Sequence, residues 1–149
     1  MNFKEKILHN YKQIVNDRID VFQDMILALT EDSKNDAKGS AGDKHETALS
    51  MMHIEQEKLN IKLAENIAQK NILDKIDVNK NSNKIALGSL IQTNGMLLFM
   101  STALPKIEVD NKTIIAVSPQ SPLGNKLLGN EIGFSFEMNN SKFVIENVG

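Results

Sequence analysis

The chain contains no cysteine, which excludes a disulfide framework, a thiolate metal site and a cysteine nucleophile. Tryptophan is absent as well, and tyrosine occurs once, at Tyr11. An aromatic-lined ligand pocket is hard to build from so little. Neither sign of charge dominates: 17 Lys and Arg stand against 19 Asp and Glu, a formal net charge of -2. Wrapping a nucleic-acid backbone calls for a basic surface, so only a local basic patch stays open. The first residues, Met1-Asn2-Phe3-Lys4-Glu5-Lys6, lead into an amphipathic pattern that contains Asp17, Arg18 and Asp20. That pattern is neither a signal peptide nor a membrane span, and a cytoplasmic location without membrane attachment is the expectation.

Neither Pro nor Gly occurs before Gly39, so a long stretch is free of helix breakers. Within it, positions 8, 11, 15, 18, 22, 25 and 29 carry Leu, Tyr, Val, Arg, Phe, Met and Leu. Steps of three and four are the spacing of a coiled-coil seam and predict a helix from Phe3 to the upper 30s. Arg18 interrupts the seam and is expected to be an ion-pair partner or a register device. Ile7, Ile14, Val21 and Ala28 flank it at steps of seven and are expected to widen the apolar face. A second pattern runs from about Asp43 to Asp74. Positions 49, 52, 56, 59, 63, 66, 70 and 73 form its seam, with Ile54, Ile61 and Ala68 as a flanking row and Met51 and Met52 as packing residues.

The stretch between the two patterns, Gly39-Ser40-Ala41-Gly42, is a turn signal, so the helices are expected to run antiparallel. Folding about residue 41 places Leu8 near Asp74, Val15 near Ile67 and Leu29 near His53. At 1.5 Å per residue, an arm of roughly 30 residues reaches about 45 Å. So long and thin a hairpin suits reaching better than enclosing a ligand. It occupies residues 1–77, with its tip at 39–46.

Val78 to Lys84 is polar and breaks the periodicity, and the remainder, 78–149, reads as short strands and turns. Ile85 to Gln92 and Met96 to Ser101 flank the hairpin signal Asn94-Gly95. Ile107 to Val109 and Thr113 to Val117 flank Asp110-Asn111-Lys112. Ser121-Pro122-Leu123-Gly124-Asn125-Lys126-Leu127-Leu128-Gly129 carries the marks of one short helix: Ser121 as N-cap, Pro122 at the first position and Gly129 as the stop. Ile132, Phe134, Phe136 and Met138 alternate with smaller or polar residues, as in a strand with one buried face. Asn139-Asn140 turns the chain into a last strand, Lys142 to Val148. A helical hairpin followed by mixed strands and one short helix is an α+β protein.

Candidate functional residues gather at the tip. Asp43 and Glu46 are three residues apart at a helix start. They form an Asp version of the capping box and complement the helix dipole. The same spacing lets two carboxylates face one side. Lys34, Lys38, Lys44 and His45 form a locally basic stretch. Their interleaving with Glu31, Asp32 and Asp36 also fits a solvated face of mixed charge. His9, His45 and His53 are scattered and suit no zinc site.

Two segments then resemble the Gre family of bacterial transcript-cleavage factors. Gly42-Asp43-Lys44-His45-Glu46-Thr47-Ala48 is similar to that family's Gly-Asp-x-x-Glu-Asn-Ala. Ala116-Val117-Ser118-Pro119-Gln120-Ser121-Pro122-Leu123-Gly124, continuing through Leu127-Leu128-Gly129-Asn130-Glu131-Ile132-Gly133, resembles its Ser-Pro-Leu and Leu-Leu-Gly segment. The order of parts also resembles the family: an antiparallel coiled coil, then a small FKBP-like domain. The resemblance implies a partner, RNA polymerase, on which the C-terminal domain docks through Gln120, Ser121 and Pro122. The coiled coil enters the secondary channel. Asp43 and Glu46 there act as the catalytic and metal-holding acids, sharing Mg²⁺ with the polymerase and orienting a water against the RNA 3′ end, with Lys38 and Lys44 near the RNA. Such a factor is a monomer and no enzyme by itself, because most of the active site belongs to the polymerase, and Mg²⁺ is bound only in the complex. The Lys-His between the acids and the Gly39–Gly42 turn depart from the family pattern. A channel-binding regulator without cleavage activity, or a coiled-coil module unrelated to transcription, stays open beside it.

Overall fold

The computed structural model describes the backbone of residues 1–37 and 43–149 and the side chains of residues 1–32 and 47–149. Two long helices, α1 (Phe3–Ala37) and α2 (Asp43–Asp74), precede β1 (Leu90–Thr93), β2 (Met96–Met100), β3 (Ile107–Val109), β4 (Lys112–Val117), α3 (Pro122–Leu127), β5 (Ser135–Met138) and β6 (Ser141–Val148). The chain is α+β, as its pattern implies. It divides into two compact units: Met1–Lys12 with Asn71–Gly149, and Gln13–Lys70.

The first unit is built on a six-stranded sheet in the order β3-β4-β2-β1-β6-β5. All neighbours are antiparallel except β2 and β4, which run parallel with Leu97 opposite Ile114 and Met100 opposite Val117. Three two-residue turns set the hairpins. Asn94-Gly95, Asp110-Asn111 and Asn139-Asn140 all have positive φ at both positions, the requirement of a turn whose twist matches the flanking strands. The β1–β6 register slips between Gln92 and Thr93, which pair with Asn147 and Ile145. The extra residue, Glu146, turns its carboxylate to accept from the backbone N–H of Asn94 at 2.8 Å. One face of the sheet buries Ile91, Leu98, Met100, Val117, Phe136 and Ile145 together with Leu127 of α3. The other face is met by Tyr11 near the start of α1, fully buried, stacked on Phe99 at 6.1 Å between ring centroids. Asn2 caps this helix reciprocally with Glu5: the Asn2 side-chain oxygen accepts from the Glu5 N–H, and the Glu5 carboxylate accepts from the Asn2 amide.

Two strand expectations need correction. Ile85 to Ser89 is not strand; β1 begins at Leu90. Gly88 has φ +89, and a Cβ there would lie 2.8 Å from the Ile76 side chain, so the chain bends where a continuous strand was expected. Ile85 pairs instead with the loop after α3, donating to Asn130 and accepting from Gly129. Likewise Ile132 is 60% exposed. The chain turns at 131–134, with the Phe134 N–H donating to the Glu131 carbonyl, and the alternation becomes a strand only from Ser135.

The second unit comprises the parts of α1 and α2 in Gln13–Lys70. On α2, the residues at 49, 52, 56, 59, 63 and 66 are half-buried or buried, and those between them are exposed, as the seam requires. On α1 the buried line runs through Val15, Arg18, Ile19, Phe22, Ile26, Leu29 and Thr30, while Met25, Val21 and Ala28 are exposed. The expected flanking row on α1 holds at its start, where Ile7 is buried and Ile14 half-buried, and fails from Val21 on. On α1 a straight helix drifts about 20° per seven residues against a strict heptad, which carries this row off the buried face. Ile54 and Ile61 are exposed too, and of the Met51–Met52 pair only Met52 is half-buried. Arg18 is half-buried but makes no ion pair among the described residues. The hairpin register also differs: Lys12 pairs with Asp74 and Thr30 with Gln56, four residues further along α1 than expected. Sliding one helix by about a turn presents the same apolar face, so the apolar pattern could not distinguish the two registers.

Candidate functional site

The candidate residues fall into two groups, and the structure describes one. Lys38 lies outside the described residues, as do the side chains of Asp43, Lys44 and Glu46; α2 itself begins at Asp43. Gln120, Ser121 and Pro122 are described, and they share one turn at the start of α3.

That turn is assembled by two serine hydroxyls. Ser121 is the N-cap of α3, in extended conformation, with Pro122 opening the helix. Its hydroxyl accepts from the Gly124 N–H at 3.0 Å and donates to the Ser118 carbonyl at 2.7 Å. The Ser121 N–H donates to the same carbonyl at 3.1 Å. Ser118 uses its own hydroxyl on Gln120, donating to the side-chain carbonyl at 2.7 Å and accepting from the Gln120 N–H at 3.2 Å. Gln120 is therefore oriented by a single neighbour while standing exposed, and Pro122 is exposed beside it.

Gly124 shows why the turn tolerates no side chain at that position. A Cβ there would sit 1.8 Å from the Ser118 carbonyl oxygen and 3.0 Å from the Pro119 Cα. The helix thus lies against the preceding loop, and Leu127, three residues on, is fully buried in the sheet core. The sequence motif is explained first as a folding device: hydroxyl cap, proline start and a glycine of close approach. Ser118 and Gly124 are the members that motif reading passed over. The sequence alone signals neither role, since the Ser118 hydroxyl acts on Gln120 two residues on and the Gly124 contact depends on how α3 lies against the loop.

This turn has neither a titratable side chain nor a buried cavity, so it offers contact surface rather than chemistry. Among the described residues no three His, Asp or Glu side chains gather as a metal site, and no helix is long and apolar enough to cross a membrane. Shifted titrations lie elsewhere in the first unit. Burial pushes the Tyr11 phenol up to about 12. Burial lowers Lys4, partly offset by the Asp77 carboxylate.

No family model matches the chain, and no curated protein matches it. Among solved structures, that of the transcription factor Gfh1 is similar over 99% of this chain and 94% of its own, at 16% identity and a TM-score of 0.34. A superposition that loose bears on neither chemistry nor partners.

Proposed function

We propose that the chain is a Gre-type accessory factor of RNA polymerase. In this reading the long helices carry the tip into the secondary channel, and the turn around Ser121 docks the first unit on the polymerase. The observation that supports it best is the Ser118–Gly124 turn. The residues that resemble the family's motif form one ordered unit that leaves Gln120 and Pro122 exposed for a partner. The small mixed-sheet unit then takes the place of the family's FKBP-like domain.

At the tip, Asp43 and Glu46 would hold Mg²⁺ jointly with the polymerase, since carboxylate oxygens one helical turn apart are the donor type this hard cation takes. The ion, when bound, would supply charge neutralisation and an activated water for phosphodiester hydrolysis. The acids would help orient the attacking water, and Lys38 and Lys44 would steady the RNA phosphates. The chain is then no enzyme alone. It completes the polymerase's own site and assists cleavage of a backtracked transcript. Lys44 and His45, set between the two acids, favour a second reading: a channel-binding regulator that does not stimulate cleavage.

The test is cleavage of a stalled, backtracked polymerase complex with Mg²⁺, comparing the wild type with Asp43→Ala/Glu46→Ala, with binding measured in parallel. Short 3′ fragments that appear only with the wild type, while both proteins bind, support cleavage by these acids. Binding by both without fragments selects the regulator. Failure of both to bind polymerase removes the proposal and leaves a coiled-coil module of other purpose.

A further inference from the structure

The helix α2 is apolar on two opposite faces. Its seam residues Leu49, Met52, Leu59 and Leu63 are half-buried. On the far side Met51, Ile54 and Ile61 are 67%, 53% and 56% exposed, and Ala64 and Ala68 are exposed as well. Ile54, Ile61 and Ala68 recur at steps of seven, so they stay within about 40° of one another around the helix. Lone exposed apolar residues need no explanation, whereas an aligned row asks what covers it.

The charges beside this row identify what covers it. Lys58 precedes Ile61 by three residues and Glu65 follows it by four; both are exposed on the same flank of the row, and Glu65 makes an exposed 3.6 Å pair with Lys62 of its own helix that a second copy's Lys58 joins. A twofold axis through Ile61 that packs the face against itself antiparallel sets Lys58 against Glu65 of the second copy, twice. It also sets Ile54 against Ala68 of the second copy, a large side chain against a small one, and Ile61 against its own equivalent. Flanking pairs of opposite charge are what fix partner and orientation in helical zippers. The row carries its own complement, so no other partner has to supply it.

We infer that the outer face of α2 is a self-association surface, on which a second copy docks antiparallel about Ile61. The monomer expected from the sequence is then the dilute form. This inference does not depend on the polymerase reading, and it is tested on the purified chain alone.

The experiment is sedimentation equilibrium of the full chain across a rising concentration series. The average mass of the wild type climbs toward that of a dimer. Ile61→Asp weakens the association at least about tenfold while circular dichroism shows unchanged helix content, because Ile61 lies outside the hairpin seam. Lys58→Glu and Glu65→Lys each weaken it, and the double exchange Lys58→Glu/Glu65→Lys restores it. A wild type that stays monomeric at every concentration overturns the inference, as does a dimer indifferent to Ile61→Asp. Loss without restoration in the double exchange overturns the antiparallel pairing, because a parallel pair would set Lys58 beside Glu57 of the second copy instead.

Discussion

The Gln56 side-chain amide donates to the Thr30 hydroxyl at 2.6 Å, and that hydroxyl donates in turn to the Ile26 carbonyl one turn back at 2.9 Å. This link between α1 and α2 distinguishes two registers that the apolar seam accepts equally. Sliding by one turn would leave the half-buried Gln56 amide against apolar surface. Thr30→Val and Gln56→Leu are each expected to cost about 0.5–1.5 kcal/mol. A double-mutant cycle should show coupling of similar size, since the two groups touch directly. Denaturant unfolding of the four proteins checks this; additive losses would mean that the link does not hold the register.

Further along the same helix, Asn66 occupies a seam position. Its amide donates to the Lys62 carbonyl at 2.8 Å, but its side-chain oxygen, on a residue only 6% exposed, has no partner among the described residues. A buried acceptor without a donor costs about 1–3 kcal/mol. Asn66→Leu should therefore raise the unfolding midpoint, by an amount equivalent to about 1–2 kcal/mol. A lower midpoint would show that the asparagine has a stabilising partner. A polar residue in a zipper seam commonly fixes register at a cost in stability. The variant is accordingly expected to lose uniqueness as it gains stability, visible as broadened amide resonances in the second unit.

The local devices were legible from the sequence because each is written in adjacent residues. Asn94-Gly95 turns, Ser121 caps and Pro122 opens a helix by chemistry that needs no distant partner. Both long helices were legible by periodicity, and so was the α2 seam. What escaped was long-range. The hairpin register depends on where Gln56 meets Thr30. The bend at Gly88 depends on Ile76, twelve residues away. The drift of Val21 and Ala28 off the buried face follows from helix geometry, which a heptad reading leaves out. In the candidate site, Ser121 and Pro122 were legible as capping chemistry. The roles of Ser118 and Gly124 emerge only once the helix is laid against the loop before it.

That close contact makes Gly124 the most sensitive position of the turn. Ser121→Ala removes the cap and the hydroxyl bond to Ser118, and should cost about 1 kcal/mol. Gly124→Ala drives a methyl group into the Ser118 carbonyl and forces α3 off its seat over Leu127. Its cost should be several times larger, beyond about 3 kcal/mol. Thermal unfolding ranks the two. Equal losses would show that the loop yields freely and that Gly124 is no structural keystone. For the docking proposal, Gln120→Ala is the informative change, because the exposed Gln120 should matter little for folding, within about 0.5 kcal/mol. A weaker polymerase complex with an unchanged unfolding midpoint would then reflect lost contact rather than lost structure.

Tyr11 makes the stability of the first unit depend on alkaline pH. Its ring lies buried on Phe99, and its hydroxyl reaches the Ile114 carbonyl at 3.4 Å. Burial raises its ionisation to about 12, against about 10 in the unfolded chain. The sign follows from which state loses the proton first. Below pH of about 10 both states are protonated and the full contribution is present. Between about 10 and 12 the unfolded chain ionises while the folded one does not, so stability falls by at most about 2–3 kcal/mol. Lys4 works in the opposite direction, because burial lowers its ionisation and folding then improves as the ammonium is neutralised. Comparing wild type with Tyr11→Phe cancels the lysine. At pH 7 the two should differ by no more than about 1 kcal/mol, the value of one long hydrogen bond. In urea unfolding from pH 9 to 11, the wild type should lose stability steadily relative to Tyr11→Phe. Parallel curves across that range would mean that the phenol ionises in the folded chain as readily as in the unfolded one, and that Tyr11 does not seal α1 to the sheet.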